Sequence, residues 1–244
     1  MLAEASRAAR FTVGFSTKAY FSDALLQRWI AAVADQPEPT DVVRFLVPSH
    51  PSVKSARESS PPSLLIGAQN VSVHMPGPYT GEVTAELLAE VGADFVELGH
   101  AEHRSLGDSN ATIARKAEQG ISQGLDVLLC VGEPEPVDPT SAAEHCASQV
   151  RSASIPLERL VIAYEPVWAI GSSEPAGAQH IVATLTELKT LLSADDLPII
   201  YGGTAGTGLL SQISSVANGL FLGRRAHDPS VFGAVVDEAQ GLSH

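Results

Sequence analysis

Three residues whose side chains can move protons or offset charge next to a carbonyl follow short apolar runs in this chain. Lys18 follows Phe11–Phe15 through Ser16-Thr17, His100 follows Phe95–Leu98 through Gly99, and Glu165 follows Leu160–Tyr164. The last run has the β-branched and aromatic content of a buried strand, and Pro166 lacks the N–H that a central strand needs. The pair predicts Glu165 at the strand's final position. A carboxylate fixed there, under a segment bracketed by Pro166 and Gly171, has what a general base requires: a rigid support below and a cover above. Taken alone, Glu165 reads equally well as a strand-end residue facing solvent. In combination, a glutamate can remove a proton from carbon and a neutral imidazole can polarise a carbonyl or move a proton between oxygens. An ammonium then offsets the charge of the resulting enediolate. That chemistry calls for no metal and no cofactor. Two glycine turns, Gly202-Gly203-Thr204 and Gly223-Arg224, follow the last two apolar runs. Glycine lets backbone N–H groups approach an anion closely, so these turns are candidates for a phosphate cradle.

To bring such groups together the chain needs a scaffold that presents many strand ends on one side. Eight strand candidates recur: Phe11–Phe15, Val42–Val47, Leu64–Ala68, Phe95–Leu98, Val127–Val131, Leu160–Tyr164, Ile199–Tyr201 and Gly219–Leu222. Between them lie helical patterns with one apolar stripe, such as Leu26, Trp29, Ile30 and Val33, or Ile181, Leu185, Leu188 and Leu192. Strands that alternate with helices build a parallel sheet. A doubly wound open sheet satisfies the alternation, but eight units in 244 residues fit a closed (β/α)8 barrel in a single domain, 1–244, better. In that architecture the C-terminal strand ends share one rim, where Lys18, His100, Glu165 and both glycine turns would converge.

Composition excludes several classes of partner. With 28 acidic against 15 basic residues and a formal net charge of -13, the chain lacks the basic surface that nucleic acid or an anionic membrane demands. No apolar run approaches membrane-spanning length, and the first ten residues hold two arginines without a signal-peptide core. Cys130 and Cys146 form neither a disulfide framework nor a spaced metal site, which points to reduced thiols in a cytoplasmic protein.

Each candidate also has a plain structural reading: Lys18 as a solvated lysine, His100 as a histidine at a helix start, Cys130 as a packing residue. Asp108 is expected to cap the helix that contains Ile113, Ala117 and Ile121. What argues against these readings as a set is a resemblance carried in order along nearly the whole chain. Val13-Gly14-Phe15-Ser16-Thr17-Lys18, Ile66-Gly67-Ala68-Gln69-Asn70, Tyr79-Thr80-Gly81-Glu82, Leu98-Gly99-His100-Ala101-Glu102-His103-Arg104, Leu129-Cys130-Val131-Gly132-Glu133, Tyr164 to Gly171 and Tyr201-Gly202-Gly203-Thr204 all resemble segments of the triosephosphate isomerase family.

The resemblance implies an aldose–ketose isomerase that interconverts a short ketose phosphate and its aldose phosphate, with dihydroxyacetone phosphate and glyceraldehyde 3-phosphate as the first expectation. It implies Lys18 as the electrophilic lysine, His100 as the neutral electrophile and Glu165 as the base, with Glu102 holding the lysine or its surroundings. Residues 166 to 176 would be a lid, and Gly171, Thr204, Gly223 and Arg224 would offer N–H groups to the phosphate. A homodimer joined through Pro76 to Glu82 is also implied. Several residues depart from the family pattern: Ser16 stands for asparagine, Thr17 for tryptophan, Ala101 for serine, Ser172-Ser173-Glu174 for Thr-Gly-Lys, and Arg224 for the second glycine of its turn. The Ser16-to-Tyr20 segment and the Gly223-Arg224 turn resemble a sister group, the isomerases of four-carbon ketose phosphates such as erythrulose phosphate. A barrel that binds phosphorylated ligands without turnover is the rival from another class, which intact Lys18, His100 and Glu165 disfavour. A lyase or aldolase would want a Schiff-base lysine at a strand end or a metal site.

Overall fold

The computed structural model describes residues 1–172 and 174–243. Among them, eight parallel strands close into a barrel in sequence order: β1 (Phe11–Ser16), β2 (Val42–Val47), β3 (Leu64–Ala68), β4 (Phe95–Leu98), β5 (Asp126–Val131), β6 (Leu160–Tyr164), β7 (Ile199–Tyr201) and β8 (Gly219–Leu222). The ring is sealed where β1 pairs with β8, Thr12 opposite Gly219 through Phe15 opposite Leu222. This is the (β/α)8 architecture expected from the sequence. β1 runs one residue longer than the apolar pattern and β5 begins one residue earlier. Glu165 lies one position past β6, although its N–H still bonds to the Val131 carbonyl at 2.7 Å. The base candidate is therefore held by the ladder of the neighbouring strand.

The period-two alternation of each strand divides the apolar residues between two clusters. Val13 and Phe15 of β1 belong to the outer cluster, which takes in helix residues such as Trp29, Ile181 and Leu185, and the Phe15 and Trp29 rings lie 4.9 Å apart. The inner cluster holds Phe45, Phe95, Leu128, Val161, Ile200 and Phe221. Phe45 meets Phe95 and Phe221 with ring centroids 5.3 Å apart in each pair, an edge-to-face contact with Phe95 and a tilted one with Phe221. Gly14 of β1 makes this possible, because a Cβ there would fall inside the Phe45 ring.

The sequence pattern did not reveal what closes the lower mouth. A helix, Leu2–Ala8, puts Leu2 and Ala3 into the inner cluster. The Ala3 N–H donates to Asp126 at 2.9 Å, the first residue of β5, so the plug sits at the N-terminal end of the strands. Seven residues are too short for a confident helical period in sequence, and only the barrel mouth gives them something to pack against.

Asp228 accepts from the Ser230 N–H at 2.9 Å and caps the last helix, Pro229–Gly241. Asp108 does not cap its helix: Ser109 does, accepting the Thr112 N–H, while Asp108 binds the Lys116 ammonium at 2.6 Å. The adjacent serine reaches the helix's free N–H groups, which releases the carboxylate for a charge one face along. Among the described residues no helix is long and apolar enough to cross a membrane.

Candidate active site

All nine residues singled out in the sequence line a single cleft of about 550 Å³ at the C-terminal ends of the strands. Ser16, Lys18, His100, Glu102 and Glu165 occupy one part of the lining. Gly171, Thr204, Gly223 and Arg224 occupy the rest. The barrel thus brings together groups separated by up to roughly two hundred positions along the chain, as its strand order requires.

Lys18 has a left-handed backbone, φ 46°. A residue with a Cβ reaches that region only at a cost of order 1 kcal/mol, so the surrounding structure must hold it there. Its ammonium lies 2.7 Å from the Glu102 carboxylate. Partial burial alone would raise the Glu102 pKa, but the Lys18 hydrogen bond, His100 and the Lys18 charge outweigh it and hold the carboxyl below its ordinary value. Glu102 is therefore an anion that keeps the Lys18 ammonium pointed at the cleft.

His100 precedes the short helix Ala101–Ser105, and its Nδ1 accepts the Glu102 N–H at 3.1 Å. A nitrogen that accepts cannot also carry the ring proton in a neutral imidazole, so Nε2 is the donor. Nε2 lies 3.4 Å from Glu165 Oε2 and faces the same cleft. Glu165 is 4% exposed, and Oε2 has no hydrogen-bond partner among the described residues. A buried carboxylate oxygen left without a partner is costly in a structural role and is the arrangement a proton acceptor needs. Gly202 gives it room: a Cβ there would lie 2.5 Å from Glu165 Cγ and nearer still to Oε1.

The segment over Glu165 is tied down at both ends. Trp168 Nε1 donates to Glu133 at 2.8 Å and the Tyr164 hydroxyl to the same oxygen at 3.2 Å. At the far end the Ala176 N–H donates to the Tyr201 hydroxyl at 3.0 Å, and the Thr204 hydroxyl contacts the Ala169 and Ser172 carbonyls at 2.9 and 3.2 Å. Ser173, in the far hinge of the expected lid, lies outside the described residues. Glu133 and Tyr201 anchor this segment through contacts that no local sequence pattern encodes. Exposed Arg224 lines the cleft, with its guanidinium close to Gly171.

One carboxyl escaped the sequence reading altogether. Glu97 lies two residues after Phe95 on β4 and thus shares its inward face. It is 4% exposed, with Oε2 3.5 Å from the Ser16 hydroxyl and Oε1 3.9 Å from the Cys130 thiol. Burial, with Glu165 adding to it and His100 and Lys18 opposing, pushes its pKa from 4.5 up to about 7. A charged residue type inside an otherwise apolar run was the available signal.

Comparison with known proteins covers the barrel that carries these residues. The profile of the family described as triosephosphate isomerase matches residues 11–239. An L-erythrulose-1-phosphate isomerase of Pectobacterium atrosepticum is 36% identical over 96% of this chain and 97% of its own length. A protein of the same name from Brucella melitensis is 33% identical over 89% of this chain and 91% of its own. A triosephosphate isomerase of a Synechococcus species is 33% identical over 75% of each chain. The closed barrel and the match across nearly all of it make this chain a member of the triosephosphate isomerase family, an isomerase.

Proposed function

We propose that this enzyme isomerises a four-carbon ketose phosphate related to erythrulose 1-phosphate through an enediolate, in a single barrel domain. The observation that carries the choice of substrate is Ser16. It stands on the cleft wall beside Lys18 where the family pattern has asparagine, and its shorter side chain leaves space near the reacting carbons. The near full-length relatives that share the family are named for that ketose phosphate, which supports the reading. The three-carbon pair, dihydroxyacetone phosphate and glyceraldehyde 3-phosphate, is the second reading, favoured by the match to triosephosphate isomerases over about three quarters of the chain.

The chemistry follows from the groups in the cleft. Glu165 takes a proton from the carbon beside the carbonyl, and the electron pair of that C–H bond becomes the double bond of the enediolate. His100 Nε2–H hydrogen-bonds the two oxygens and moves a proton between them, while the Lys18 ammonium offsets the negative charge. Glu165 then returns its proton to the former carbonyl carbon. With three carbons the product is an aldehyde. If a hydroxymethyl group sits on the carbon that loses the proton, the same transposition yields a second ketose, now phosphorylated at the other end. Arg224 and the glycine turns hold the phosphate, Arg224 through a charge-assisted contact.

Ser16→Asn tests the assignment when purified enzyme is offered three- and four-carbon ketose phosphates side by side. The wild type turns over the four-carbon substrate faster. The substitution lowers its kcat/KM by about tenfold or more relative to the three-carbon one, since an amide intrudes where the hydroxymethyl group would lie. Equal changes on both substrates would remove position 16 as the selector of chain length.

The enzyme is further proposed to be a homodimer joined through Pro76 to Glu82. Met75 and Tyr79 are 66% and 42% exposed, and Tyr79 stacks on His74 with centroids 3.8 Å apart, so an apolar tip is held ready rather than buried. Solution scattering at micromolar concentration should give twice the chain mass; a monomer there would defeat the assignment.

A further inference from the structure

Glu97 is difficult to explain as a structural residue. It shares the inward face of β4 with Phe95, stands in register with Leu128 of β5, and is 4% exposed. Its two contacts, the Ser16 hydroxyl at 3.5 Å and the weakly polar Cys130 thiol at 3.9 Å, return little of what burying a carboxyl costs. What it does touch is a cleft residue. Ser16 Oγ also receives the Lys18 N–H at 3.4 Å, so this hydroxyl is bracketed by the lysine's backbone on one side and by Glu97 from below.

We propose that Glu97 is a positioning residue of the isomerisation, its carboxyl holding the Ser16 hydroxyl from inside the barrel so that this hydroxyl faces the reacting oxygens of the substrate. Both contacts of the hydroxyl are at the long end of the hydrogen-bond range. The inference rests on the enediolate chemistry proposed above and is independent of chain length. A protonated Glu97 donates to Ser16 Oγ and leaves the serine proton free for a substrate oxygen. An ionised Glu97 takes that serine proton for itself and sets a second negative charge beside Glu165 and the enediolate.

Among the described residues, the titratable groups that face Glu97 are few. They are Lys18 after β1, His100 and Glu102 after β4, Cys130 on β5 and Glu165 after β6. Asp126 lies at the opposite end of β5, and the inner-cluster residues of β2, β7 and β8, namely Phe45, Val47, Ile200 and Phe221, do not titrate. With its pKa at about 7, Glu97 is the neutral donor below that pH and loses the role above it.

The test compares wild type, Glu97→Gln and Glu97→Leu on whichever of the two ketose phosphates the wild type turns over faster. The wild-type kcat/KM is expected to fall on the alkaline side with a midpoint near 7. Glu97→Gln keeps a neutral donor, lowers kcat several-fold and loses that limb. Glu97→Leu lowers kcat by about 100-fold with KM changed only a few-fold, since misplacement of a cleft group acts on the transition state. Glutamine and leucine variants with equal kcat, or an alkaline limb retained in both, would overturn the proposal.

A second measurement without substrate reads the protonation itself. Because the folded pKa lies above the unfolded value, the neutral carboxyl's contribution to stability is complete below 4.5 and is lost as pH rises through about 7. The denaturant midpoint of wild type should fall relative to Glu97→Gln across that window, and parallel curves would also overturn the proposal. This arm separates a failure at Glu97 from a failure of the functional reading.

Discussion

Replacing Glu165 by glutamine is expected to lower kcat by roughly 10³- to 10⁴-fold, at the upper end of what a positioned general base contributes. That corresponds to about 4 to 5.5 kcal/mol of barrel-supported transition-state stabilisation. The glutamine keeps the size of the side chain but cannot accept a proton from carbon. Because Oε2, which faces His100 at 3.4 Å, has no hydrogen-bond partner among the described residues, little of the fold depends on it. Affinity for a non-reacting phosphorylated ligand should therefore stay within a few-fold, as measured by calorimetry alongside steady-state kinetics. A parallel loss of ligand affinity would identify a carboxylate that shapes the cleft rather than one that reacts.

Gly202→Ala should be nearly as damaging, although residue 202 has no functional group of its own. The new methyl would lie 2.5 Å from Glu165 Cγ and closer to Oε1, so the carboxylate must move by about an ångström to make room. A displacement of that size in a reacting group costs about 10²-fold in rate. The backbone of Gly202 does not occupy the left-handed region, so alanine introduces no conformational strain there. The thermal midpoint should change little, because the flexible end of a glutamate gives way and not the backbone. A variant with normal kcat would show that Glu165 has slack in the cleft; a variant that fails to fold would show that the turn itself needs glycine.

The sequence alone determined the architecture, because the signals for a parallel barrel are local. The apolar runs from Phe11 to Leu222 and the striped helices between them appear in the order in which the strands pair, and each carries its own periodicity. The candidates Lys18, His100 and Glu165 were legible for a related reason. A barrel of this kind puts the C-terminal end of every strand on one rim, so position within the unit already tells which residues meet. The resemblance left Glu102 holding either Lys18 or its surroundings, and the structure puts its carboxylate on the Lys18 ammonium.

What the tertiary structure decided are relations between residues that no local pattern encodes. That Leu2 and Ala3 plug the lower mouth follows from a cavity made by eight separate strands. That Gly202 is the clearance beside Glu165 follows from two adjacent strand ends in register, Tyr164 opposite Tyr201. That Glu133 and Tyr201 anchor the segment after Glu165 follows from where Trp168 and Ala176 lie in the fold. Glu97 shows the limit most plainly: in sequence it is one acidic residue in an apolar run, which alternation places on a face without telling what lies across the barrel. Only closure of the ring sets Ser16 3.5 Å away and shields the carboxyl from water, and that desolvation moves its pKa to about 7. Periodicity is written along the chain, whereas burial and distance across the barrel belong to the assembled fold.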